Sequence, residues 1–122
     1  MILRANETTH SSLPFYTEDK LNIIVTKSQP EFSIQLKSNP TTGFSWFLRE
    51  YDDHIIVPVK RTYQKANAKL IGSSGNEIWI FKVKPEAFAV PQQTTIRLIY
   101  ARPWENRDST TPIVFRVTTQ DK

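Results

Sequence analysis

Hydrophobic residues along this chain recur with a period of two in short runs, and clusters of turn-forming residues separate the runs. Residues 31–37 alternate cleanly, with Phe32, Ile34 and Leu36 on one face and Glu31, Ser33, Gln35 and Lys37 on the other. That is the pattern of a half-buried strand in an antiparallel sheet. Residues 77–84 predict a second such strand, with Trp79, Phe81 and Val83 inward and Ile78, Ile80 and Lys82 on the other side. Residues 21–26, 94–101 and 112–119 are rich in Ile, Val, Thr and aromatics and predict three more. Residues 45–49 place Trp46 and Leu48 on the same face as Phe44. Residues 54–60 form a β-branched run broken by Pro58, which lacks a ladder donor and predicts an edge strand or a bulge. Residues 61–71 read as extended, and residues 85–91 as a connection in which Phe88 plugs one end of the core.

Helical periodicity is absent. Seven to eight short strands, with turns at intervals of roughly ten residues, predict an all-β, immunoglobulin-like β-sandwich. The chain of 122 residues is expected to form a single domain over residues 15–122, preceded by a flexible arm at residues 1–14. The cysteine-and-tryptophan signature of antibody domains is missing, so strand number and spacing carry the fold expectation.

Composition narrows the chemistry. With no cysteine, disulfides, thiolate metal sites and a cysteine nucleophile are all excluded. The net charge of +4 is mild and its lysines and arginines are scattered among acids, unlike the basic stripe of a nucleic-acid binder. No apolar run reaches the roughly 20 residues that span a bilayer. Residues 1–12 are polar and lack the apolar middle of a signal peptide, so the expectation is a cytoplasmic protein, or a periplasmic or secreted one if a signal has been removed. Asn6-Glu7-Thr8 matches a glycosylation acceptor, a pattern that arises often by chance. An enzyme finds little support. His10 and His54 lack the spacing of a metal pair, and Asp52-Asp53 beside His54 reads as a solvated turn. Gly72-Ser73-Ser74-Gly75 is not a nucleophile elbow. No cofactor is implied.

Three connections are more specific than a solvent loop requires. Asn39-Pro40-Thr41-Thr42-Gly43-Phe44 carries two threonines between a residue of fixed φ and a glycine free to take positive φ. Gly72-Ser73-Ser74-Gly75-Asn76 precedes the strand at Glu77, and Arg102-Pro103-Trp104 follows the strand ending near Tyr100. Reversal of direction at each strand predicts that all three emerge at one end of the sandwich. Each has a plain alternative: a tight turn without a partner, a flexible hairpin, and a Trp104 folded back as a lid rather than held out as an interface anchor. An adhesion or carbohydrate-binding module using Trp104, Tyr100 and Phe44 as a stacking platform is the rival to a loop-end binding surface.

The motif Asn-Pro-Thr-Thr-Gly-Phe, a glycine loop before an aromatic strand, and Arg-Pro-Trp after the penultimate strand together resemble the signature loops of the chagasin family of cysteine peptidase inhibitors. The resemblance extends from about Leu21 to the C-terminus. It implies an immunoglobulin-like sandwich that inhibits papain-like peptidases, such as papain and cathepsin L-type enzymes, reversibly and tightly; a monomer is expected because a docking loop end must stay free. It further implies that Asn39, Pro40, Thr41, Thr42, Gly43 and Phe44 enter the active-site cleft with Thr41 nearest the enzyme's cysteine. Arg102, Pro103 and Trp104 would lie on the primed side, and Gly72, Ser73, Ser74 and Gly75 along the non-primed side. Ser74 departs from the family pattern by standing where the glycine loop usually carries its middle glycine.

Overall fold

The computed structural model describes residues 13–65, 75–104 and 111–121. The described residues form eight strands: β1 (Phe15–Tyr16), β2 (Asn22–Thr26), β3 (Glu31–Ser38), β4 (Ser45–Tyr51), β5 (Ile56–Lys65), β6 (Gly75–Val83), β7 (Gln93–Ala101) and β8 (Ile113–Gln120). They make two four-stranded sheets, β1-β3-β6-β5 and β2-β8-β7-β4, packed face to face. The β1/β3 and β2/β8 pairs are parallel and the remaining pairs antiparallel.

The period-two pattern works out as expected. Phe32, Ile34 and Leu36 of β3 and Phe81 and Val83 of β6 face Ile23, Val25, Ile96, Leu98, Phe115 and Val117 of the opposite sheet, all essentially sealed from solvent. Phe32 stacks on Phe81 with centroids 5.7 Å apart, so the aromatic centre lies in the first sheet. Full burial of each such side chain stabilises the fold by ~2–3 kcal/mol before entropy is counted.

Several boundaries differ from the sequence expectation. His54 belongs to a turn and not to a strand: Ile55 and Ile56 both donate to the Asp52 carbonyl, and His54 N–H donates to Asp52 Oδ1. Asp52-Asp53 lie in the turn expected of them, and His54 joins that turn. β5 then runs unbroken through Arg61 to Lys65, resolving the first half of the extended 61–71 segment. β5 is an edge strand, and its register with β6 slips between Pro58 and Lys60, so both consequences of Pro58 occur together. β6 begins two residues earlier than expected, at Gly75. Pro85–Phe88 is a 3₁₀ turn whose Phe88 is buried at the end of the core, as expected. Pro14, placed in the arm on sequence grounds, already accepts a sheet bond from Ser33 N–H, and β1 follows it. A two-residue strand has no periodicity to detect. The rest of the expected arm, residues 1–12, lies outside the described residues.

Candidate functional site

The first loop is a self-bonded turn. Pro40–Thr42 form one turn of 3₁₀ helix, closed by Thr42 N–H donating to the Asn39 carbonyl at 3.1 Å. Asn39 organises the rest in the manner of an Asx turn. Its Oδ1 accepts from Thr41 Oγ1 at 2.6 Å and Thr41 N–H at 3.3 Å, while its carbonyl also accepts from Thr42 Oγ1 at 2.7 Å. Gly43 then reverses the chain with φ of +84°, the left-handed conformation anticipated from its position. Thr41 and Thr42 are left exposed at the tip.

Both stems of this turn are strapped across the gap between the sheets. Asn39 N–H donates to the Tyr100 hydroxyl of β7 at 2.9 Å. The Trp46 indole Nε1 donates to the Lys37 carbonyl at 2.9 Å, and the Trp46 backbone N–H donates to Glu77 Oε2 at 3.0 Å. Tyr100 stacks against Phe44 with centroids 5.2 Å apart and contacts Trp46 at 4.9 Å. These are aromatic separations that add attraction beyond area burial.

The third loop lies directly beside the first. Arg102 Nε donates to the Thr42 carbonyl at 3.1 Å, and its guanidinium sits 4.5 Å above the Phe44 ring. A Cβ placed on Gly43 would stand 3.0 Å from Trp104 Cη2, so the tryptophan edge rests on the glycine. Trp104 is nonetheless 73% exposed, so it is not a lid over the sandwich end. The Phe44 ring is already engaged by Tyr100 and by the Arg102 guanidinium, rather than held out as a free stacking platform.

Gly72, Ser73 and Ser74 lie outside the described residues. Gly75 is buried as the first residue of β6, in register with Ser38 on one side and Lys65 on the other. The ends of β5 and β6 therefore flank the base of the 39–44 turn. A Cβ at Gly75 would lie 2.2 Å from the Gln64 carbonyl oxygen, so close backbone approach demands glycine here.

Sequence reasoning missed the supporting residues Glu77 and Arg61. Arg61 Nε and Nη2 donate to Glu77 Oε1 at 3.1 and 2.9 Å, and Ser38 Oγ donates to Glu77 Oε2 at 2.9 Å. The available signal was phase: Glu77 shares the inward parity of Trp79, Phe81 and Val83, where an acidic residue needs a reason.

Residues 26–119 match the family described as Chagasin family peptidase inhibitor I42. Chagasin of Trypanosoma cruzi is 35% identical over 75 residues, a match spanning 58% of this chain and 64% of that protein, just under two thirds of its length. Two solved structures share the fold. The cysteine protease inhibitor EhICP2 of Entamoeba histolytica superposes with a TM-score of 0.66 at 22% identity, over 90% of this chain and 96% of that one. Amebosin superposes with a TM-score of 0.63 at 24% identity, over 88% of this chain and 98% of its own.

Proposed function

This chain belongs to the chagasin family of peptidase inhibitors, and we propose that it is a reversible, tight-binding inhibitor of papain-like cysteine peptidases. One observation carries the reading: the 39–44 turn and the 102–104 segment form a single joined ridge, locked by Arg102 on Thr42 and Phe44 and crested by an exposed Trp104. In this reading Asn39, Pro40, Thr41, Thr42, Gly43 and Phe44 form the central finger, Arg102, Pro103 and Trp104 flank it on one side, and Gly72, Ser73, Ser74 and Gly75 flank it on the other.

The chemistry of the turn explains inhibition without cleavage. A peptidase substrate lies extended, with its scissile carbonyl held at the thiolate. Here the Asn39 carbonyl and side chain, and the N–H groups of Thr41 and Thr42, are spent on the turn's own bonds. The tip therefore fills a cleft while its backbone is unable to lie down as a substrate strand. Because the turn is already ordered, docking costs little conformational entropy and contact energy appears as affinity. Neutral threonines at the tip bring no unpaired charge to the enzyme's cysteine–histidine pair. Three loops acting together would reach an interface of about 1,600 Å². An inhibitor that docks by this pole needs it free, so a monomer in solution is expected.

Titration of the purified chain against papain and a cathepsin L-type enzyme tests the proposal. Inhibition constants in the nanomolar range or below are expected. Absence of inhibition at micromolar inhibitor across several papain-like enzymes refutes it.

A further inference from the structure

Glu77 is the buried acidic side chain among the described residues, with its side chain only 4% exposed. A carboxylate survives there only if hydrogen bonds replace its water, and four donors do so. Oε1 takes Arg61 Nε and Nη2; Oε2 takes Ser38 Oγ and Trp46 N–H. The origin of the donors matters. Arg61 and Ser38 belong to the sheet of β6, whereas Trp46 belongs to β4 of the opposite sheet. Ser38 immediately precedes the 39–44 turn, and Trp46 follows it after a single residue, Ser45. One carboxylate thus holds both stems of the turn and ties them across the two sheets.

Buried ion pairs add little stability over apolar packing, and in some proteins they fix a particular geometry instead. We infer that Glu77 is a positioning residue for inhibition: it sets where the 39–44 turn stands against the 102–104 segment, and so controls affinity without touching the peptidase. The coupling is direct, because Ser45 pairs with Ala101, whose next residue is Arg102. If Trp46 loses its anchor on Glu77, the stem shared with the 102–104 segment is held against the Ser38 stem only by the Trp46 indole on the Lys37 carbonyl and the Tyr100 hydroxyl on Asn39, and its position loosens. This role rests on the inhibitory function proposed above.

The sandwich supplies its own control. At the opposite pole, Thr119 is an equivalent buried polar hub, its Oγ1 accepting from Gln92 N–H at 2.8 Å and donating to the Ala87 carbonyl at 3.1 Å. The test compares Glu77→Gln with Thr119→Val in the full chain, reading inhibition of papain, melting temperature and amide hydrogen exchange. Glutamine keeps the volume of Glu77, but an amide accepts on one side only. Its NH₂ must face either the Arg61 guanidinium or the Trp46 N–H. Glu77→Gln is expected to weaken inhibition by about tenfold or more, the loss of one charge-assisted bond's worth of order, and to speed exchange at Thr42 and Trp46. Thr119→Val is expected to lower the melting temperature and leave inhibition unchanged. Ser38→Ala, which cuts one strap and keeps the carboxylate paired, is expected to weaken inhibition a few-fold and serves if Glu77→Gln does not fold. Inhibition by Glu77→Gln, or by Ser38→Ala in its place, equal to that of wild type overturns the inference. A wild-type chain that inhibits nothing overturns the functional proposal and the affinity role with it. Exchange at Thr42 and Trp46 then decides whether Glu77 orders the turn at all.

Discussion

Gly43→Ala separates the two things Gly43 does. Its φ of +84° is a conformation that alanine adopts at a cost of about 1–2 kcal/mol. For a domain of this size that corresponds to a fall in melting temperature of roughly 4–8 °C. The new methyl would also stand 3.0 Å from Trp104 Cη2, 3.6 Å from Cζ2 and 3.7 Å from Arg102 Nε. Trp104 is mostly exposed, so its indole gives way by a few tenths of an ångström with little effect on the free protein. Backbone strain is present in both free and bound states and cancels in an inhibition constant. The displaced indole does not cancel, because the tryptophan is then out of place for its partner. Inhibition of papain is therefore expected to weaken about tenfold, some 1.4 kcal/mol. Gly43→Asn dissects the result: asparagine tolerates positive φ better than alanine, yet its Cβ occupies the same place. It should recover part of the melting temperature and none of the affinity. An unchanged melting temperature in Gly43→Ala refutes the strain argument. Wild-type inhibition by both variants refutes the coupling of Gly43 to Trp104.

Other perturbations follow from the same geometry. Trp104→Ala should raise the inhibition constant by at least about 30-fold, roughly 2 kcal/mol, if it is the anchor, with the melting temperature unmoved because the side chain buries little in the free protein. Tyr100→Phe keeps the stack on Phe44 but strands the Asn39 N–H, and urea unfolding should show a loss of about 1–2 kcal/mol. Gly75→Ala drives a methyl into the Gln64 carbonyl and must part β5 from β6, so thermal unfolding should report destabilisation of about 2–3 kcal/mol.

Much of the fold was legible because a half-buried strand writes itself as alternation. β3 and β6 alternate over most of their length, and their inward faces could be named residue by residue. Pro58 announced the edge and the bulge of β5 through its missing donor. β1 was invisible because two residues carry no period, and the join of residues 61–65 to β5 was blurred by the polar, exposed face of an edge strand. In the candidate site, the specified turn at 39–44 and the Arg-Pro-Trp segment stood out as more constrained than loops need to be. Tyr100, Trp46 and Glu77 read instead as strand residues, since nothing local in the chain marks which buried polar atom will meet which stem.

Local chemistry therefore determined the parts. Asn39 closes its turn with atoms two and three residues away, and Gly43 supplies the reversal through its own backbone. These are interactions within a few bonds' reach, so the linear sequence contains them. The meeting of the parts was decided by tertiary structure. Arg102 reaches Thr42 across 60 residues, Tyr100 reaches Asn39 across 61, and Glu77 gathers Ser38, Trp46 and Arg61 from three different strands. Such contacts depend on strand order and register, which are set by the packing of two whole sheets. A ridge of joined loops exists only once that packing has brought their stems to the same pole.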